Sequence, residues 1–177
     1  MDAMRKTWIV AAVALIVLAT TSIVIAGHEE GHTSAVGGAL KQVKVVRHSF
    51  PHPQYPGGQW SITSTQFVDV PGAQTNITVP AGQQGLIIVR FSPSIICQGT
   101  GSICEARVLI GGEEARPVKA TLMSSNNNWG VLYTERSRGP LGPGTYGVKA
   151  QVLVTSGTSG GALHMRSYHL TVERIEG

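Results

Sequence analysis

Trp129 and the amide run before it carry the clearest recognition chemistry in this chain. Ser124-Ser125-Asn126-Asn127-Asn128-Trp129-Gly130 sets amide donors and acceptors beside an indole, the combination that hydrogen-bonds to and stacks on a sugar or a peptide. Asn126, Asn127, Asn128 and Trp129 are therefore the candidate ligand-binding residues. The plainer alternative is a long turn that sends Trp129 into the core as the next strand begins.

Three other strings match catalytic or cofactor motifs, and each fails its context. His28-Glu29-Glu30-Gly31-His32 fits the His-Glu-x-x-His zinc pattern, which needs a helix to set both imidazoles on one face. Here Gly31 weakens any helix and no third ligand follows, so His28 and His32 are at most an adventitious metal site. Gly157-Thr158-Ser159-Gly160-Gly161 matches the nucleophile elbow, but the elbow needs a helix after the serine, and Ala162 to Val172 reads as a strand. Gly142-Pro143-Gly144-Thr145-Tyr146-Gly147 fits the dinucleotide fingerprint and also leads into a strand, with Pro143 lacking an amide donor.

Glu105, Glu113, Glu114 and Glu135 have no spacing that fixes an acid and base pair. His164 and His169 share a face only if a bulge lies between them. No catalytic residue, metal site or cofactor is expected. The chain carries 14 Lys and Arg against 10 Asp and Glu, a net charge of +4, with the bases scattered singly. That distribution lacks the basic patch of a nucleic-acid binder.

Cys97 and Cys104 are the only cysteines. An even, closely spaced pair with no further ligands is a poor zinc site and a simple disulfide across a Gly-containing loop, provided the compartment is oxidising. The N-terminus supplies that proviso. Arg5 and Lys6 precede an apolar run from Trp8 to Ala26 with small residues at its end, the pattern of an export signal. The run also approaches the roughly 20 residues that span a bilayer, so cleaved signal and retained anchor both stay open. Either way the body lies outside the cytoplasm, and any membrane contact is made through residues 8–26.

From Gly27 to Gly58 the chain is rich in Gly, His and Pro and reads as a spacer, in which Lys41 to Val46 has the pattern of a short edge strand. After Trp60 short apolar or alternating runs are cut by Gly, Pro and Asn. The expected strands are Ile62 to Val70, Asn76 to Val79, Gly85 to Ser92, Cys104 to Ile110, Glu113 to Val118, Val131 to Glu135, Tyr146 to Thr155 and Leu163 to Glu173. Pro71-Gly72 is among the expected turns. In the last strand Leu163 and Met165 have one parity and Tyr168, Leu170 and Val172 the other, so a bulge near Arg166 or Ser167 is needed to turn both sets inward. Asn76-Ile77-Thr78 is a glycosylation sequon in hosts that use one.

Val79-Pro80-Ala81-Gly82, Gly85 to Ser92, the Cys97 and Cys104 loop, Val108 to Gly112, Gly142 to Tyr146 and His169 to Glu173 together resemble small exported bacterial β-sandwich proteins of unassigned activity. The resemblance runs from about Gln66 to Arg174 and is one of strand and turn grammar. It implies a secreted sandwich domain and carries over no functional residue. The expected protein is thus all-β, an antiparallel, jelly-roll-like β-sandwich preceded by an N-terminal hydrophobic helix. Its expected parts are a signal or anchor at 1–27, a linker at 28–58 and the sandwich at 59–177. The expected function is non-catalytic binding of a carbohydrate, envelope component or protein, or a structural role. An extracytoplasmic hydrolase with an unrecognised site is the alternative.

Overall fold

Apolar residues recurring with a period of two turn nearly every described segment into a strand. The computed structural model describes residues 38–51, 54, 56–118, 120–124, 126–155 and 160–176. The leader with its expected helix, the His28 to His32 string and Ser159 lie outside these residues. The strands are β1 (Ala39–Ser49), β2 (Trp60–Ile62), β3 (Val68–Val79), β4 (Gly85–Gln98), β5 (Ile103–Ile110), β6 (Glu113–Glu114), β7 (Ala120–Ser124), β8 (Asn126–Val131), β9 (Thr134–Leu141), β10 (Gly144–Val154) and β11 (Ala162–Glu176). No helix among the described residues is long and apolar enough to cross a membrane.

All pairings between strands are antiparallel, and they build two sheets. In the first, β11 and β4 are central; β1 and β2 share the free side of β11, and β8 and β9 share the free side of β4. The second runs β3, β10, β5, with β6 and β7 sharing the free side of β5. The chain passes from one sheet to the other at six of the ten steps between consecutive strands. Between the sheets lies one core, including Ile77, Ile87, Val89, Phe91, Ile95, Val108, Ile110, Val152, Leu163, Met165, Tyr168 and Leu170, each at most 1 % exposed. Each such aliphatic side chain contributes about 1.5–3 kcal/mol by leaving water.

Cys97 of β4 and Cys104 of β5 are bonded, with Cα atoms 5.8 Å apart and both side chains fully buried. The disulfide thereby ties one sheet to the other. The bulge required in the last strand is present: Met165 pairs with Ile95 and Ser167 with Ser94, leaving Arg166 unmatched. Leu163, Met165, Tyr168, Leu170 and Val172 all reach the core as a result.

Several expected boundaries change: the strand expected over Ile62 to Val70 is interrupted at residues 63–67, and the expected loop at Asn126 to Gly130 lies in β8. The Pro71-Gly72 turn is a bulge within the continuous strand β3, where Gly72 at φ 75° supplies the left-handed backbone and the Tyr168 hydroxyl donates to the Pro71 carbonyl at 2.9 Å. The strand expected over Val131 to Glu135 is split at Leu132 and Tyr133, where the Leu132 amide donates to the Pro93 carbonyl. Of Glu113 to Val118 only Glu113 and Glu114 form a strand. Arg116 instead exchanges backbone hydrogen bonds of 2.9 and 2.8 Å with Ser137 of β9 and closes one side of the sandwich. Finally, the stretch read as a spacer over 28–58 contributes β1, which pairs with β11 from Ala39 to Ser49, and Phe50, 2 % exposed. The edge strand foreseen at Lys41 to Val46 is thus longer than its short alternating pattern indicated.

Candidate functional site

Two irregularities meet on the outer face of the first sheet. On one side of β4, Ile95 pairs with Gly130 and Cys97 with Asn126, so residues 127–129 are in excess opposite Ile96. On the other side, at the same level, β11 carries its bulge at Arg166. Adjacent strand residues face opposite ways. Gly130, paired with the core residue Ile95, faces inward, which turns Trp129 and Val131 outward. Trp129 therefore stays half-buried outside the core and the Arg166 guanidinium carbon lies 3.7 Å from its ring centroid. Asn128 is exposed; Asn126 and Asn127 are placed in β8.

The register sets out the rest of this face. Ser49, Ser167, Ser94 and Val131 are mutually opposite on β1, β11, β4 and β8, and the next row along holds Arg47, His169 and Ser92. Three small hydroxylated side chains thus floor a trough across β1, β11 and β4, roughly 10 Å long at about 4.8 Å per strand, which ends at Val131 of β8. Trp129 and Arg166 border it on one side, and Arg47 and His169 on the other. Val131 and Tyr133, 74 % and 63 % exposed, stand at its β8–β9 end.

Next to Trp129, His164 lies opposite Ser61 and Ile96. The Gln98 amide oxygen can only accept, so His164 Nε2 donates to it at 2.9 Å, while Nδ1 accepts from the Ser61 hydroxyl at 2.7 Å and from Gln59 Nε2 at 3.1 Å. Burial pushes this imidazole below its ordinary pKa. The bulge does bring His164 and His169 to one face, but both nitrogens of His164 are committed. Among the described residues no three His, Cys, Asp or Glu side chains are grouped closely enough to hold a metal ion.

Charge on this face is segregated. Arg90 holds Glu135 at 2.7 Å and Glu173 at 2.5 Å. Burial pulls the Arg90 pKa down, but the hydrogen bonds it donates to Glu173 and Glu135 outweigh it and leave the pKa above the usual guanidinium value. Glu176 is held by Lys41 at 3.2 Å. Arg47 and Arg166, both exposed, have no carboxylate partner among the described residues.

The remaining candidates are engaged elsewhere. Glu113 and Glu114 are paired with Arg138 and Arg107. Gly142 to Gly147 turns into β10, as its sequence context requires. Gly147 lies in a groove of about 580 Å³ lined also by Gln74, Asn76, Leu109 and Lys149. Lys149 there is bonded to Asp69 at 3.0 Å, and no aromatic ring lines that groove. Sequence reasoning did not single out Arg166, Arg47 or the serine row; the parity change around residue 166 was the one signal pointing to this face.

No family model matches the chain, and no curated protein matches it. Among solved structures it is similar to the VP2 subviral particle of infectious bursal disease virus, with 12 % identity over 85 % of this chain and 37 % of that one, TM-score 0.48. It is similar also to dimeric latent PorU from Porphyromonas gingivalis, with 12 % identity over 85 % of this chain and 14 % of that one, TM-score 0.44. A third is the CBM36-1 domain of a multidomain xylanase from the hindgut metagenome of Trinervitermes trinervoides, with 11 % identity over 73 % of this chain and 96 % of that one, TM-score 0.35. The chain spans little more than a third of the VP2 chain's length, and likenesses at these scores carry no functional inference.

Proposed function

We propose that this chain is an extracytoplasmic, non-catalytic binding module that holds a carbohydrate against the outer face of its first sheet. The observation that carries the reading is the outward placement of Trp129 beside a floor of serine hydroxyls. Arg166 covers one face of this indole, so a sugar ring is taken to stack on the other, and the serine hydroxyls supply the directional hydrogen bonds that fix orientation. With each doubled side taken as one column, the strand order is that of a jelly roll, a winding that lays broad, four-column faces open to solvent. The folded unit takes in residues from Ala39 to Glu176. The apolar run at 8–26 and the buried disulfide support a location outside the cytoplasm, as a free or a tethered domain.

Affinity electrophoresis through gels containing soluble neutral and acidic polysaccharides tests this. Retardation of the native protein by at least one polymer, lost in Trp129→Ala with the melting transition preserved, supports the reading. Equal mobility in every polymer gel overturns it.

A further inference from the structure

We infer that the ligand of this face is an acidic polysaccharide, its chain lying along the serine trough with anionic groups against Arg166 and Arg47. The inference rests on the reading of the face as a carbohydrate site and adds the charge of the ligand. Both acids of the outer face near the trough, Glu135 and Glu173, are taken up by Arg90, and Glu176 is taken up by Lys41. Arg166 and Arg47, one on each side of the trough, are left without a carboxylate among the described residues.

Their geometry suits a polymer. Arg47 pairs with His169, three residues along β11 from Arg166, which sets their Cα positions roughly 10 Å apart, at about 3.3 Å per residue and one strand across, with both side chains long enough to adjust to the spacing of a polymer's charges. A small anion meets one of them; a chain with repeated charges meets both while its hydroxyls face Ser167 and Ser94. Arg166 is further suited because its guanidinium carbon sits 3.7 Å over the Trp129 ring, a contact that restrains the side chain and does not use up its N–H donors, the groups that bind a carboxylate or sulfate. Less side-chain freedom is then lost on binding. His169 adds a third polar group to the border, and nothing acidic opposes it in its row, which holds Arg47 and Ser92.

The test uses matched pairs of polymers at low ionic strength: polygalacturonate against its fully methyl-esterified form, and dextran sulfate against dextran, with polyglutamate as a polyanion that is not a sugar. Binding at least tenfold tighter to one charged sugar polymer than to both its neutral counterpart and polyglutamate is expected, and the pair that shows it tells carboxylate from sulfate. Arg166→Gln and Arg47→Gln each reduce that preference at least threefold, with the melting midpoint unchanged for Arg47→Gln and lowered by no more than about 2–4 °C for Arg166→Gln, and Arg166→Lys restores part of it. Equal binding to charged and neutral members of both pairs overturns the inference and leaves the carbohydrate reading standing. Binding to polyglutamate as tight as to the charged sugars overturns it as charge attraction alone, and failure of all five polymers removes both.

Discussion

Arg166 and Trp129 touch across a strand to which neither belongs. They lie on β11 and β8, which both pair with β4, and the guanidinium carbon sits 3.7 Å from the ring centroid. Ile96, the outward-facing residue of β4 at that level, is only 7 % exposed, so the contact roofs an apolar side chain that would otherwise meet water. A cation–π contact at an exposed site is worth about 0.5–1 kcal/mol. A double-mutant cycle of Trp129→Ala and Arg166→Ala in urea unfolding is expected to return a coupling of that size; additive losses would show that the pair contributes nothing jointly.

The bulge at Arg166 predicts a contrast between replacing and removing one residue. Arg166→Ala keeps the register and is expected to fold with a loss of about 1 kcal/mol. Deleting Arg166 slips one side of β11 by one position and turns Leu163 and Met165, or Tyr168, Leu170 and Val172, out to solvent. The deletion is expected to abolish cooperative unfolding, read by near-ultraviolet circular dichroism and expression in the soluble fraction.

Cys97 and Cys104 close a loop of about eight residues, which the chain-entropy relation values at about 2.5 kcal/mol. For a domain of this size each kcal/mol moves the melting midpoint by about 2–4 °C. Cys97→Ser with Cys104→Ser is expected to melt roughly 5–10 °C lower by calorimetry. An unchanged midpoint would show that the link between the sheets is redundant with their packing.

Stability near neutral pH should carry a contribution from His164. Its folded pKa lies below the ordinary 6.5 because burial disfavours the cation. The unfolded chain therefore binds the proton more readily, and stability is complete above about pH 6.5 and is lost as pH falls from there toward the folded pKa. His164→Gln keeps hydrogen-bonding atoms and cannot titrate in that range. Urea unfolding from pH 8 to 5 is expected to show a shallower acid slope for the variant; identical slopes would place the pH dependence elsewhere.

Periodicity made most of the sandwich readable. Tyr146 to Thr155 alternates cleanly, and the parity change between Met165 and Tyr168 located a bulge because two apolar sets must share one core. Strand β1 was harder to read at full length, since Val43 and Val45 face solvent at the sheet edge, 46 % and 52 % exposed, and Gly, Pro and His flank it. Pro71-Gly72 reads as a turn in isolation, yet a positive φ serves a bulge equally well. Trp129 was legible as a residue of interest. The trough beside it was not, because Ser49, Ser167 and Ser94 come from three strands far apart in sequence, each an ordinary polar position until the register aligns them.

Ala39 and Glu176 are partners at the first position of the β1–β11 pairing, so both ends of the folded unit leave the sandwich together. Arg166 lies ten residues back along β11, roughly 30 Å at about 3.3 Å per residue. Whatever is joined to the chain ahead of the first strand or after the last is attached at the pole remote from Trp129. A carrier or surface joined directly to β1 or β11 at that pole presents the trough away from itself.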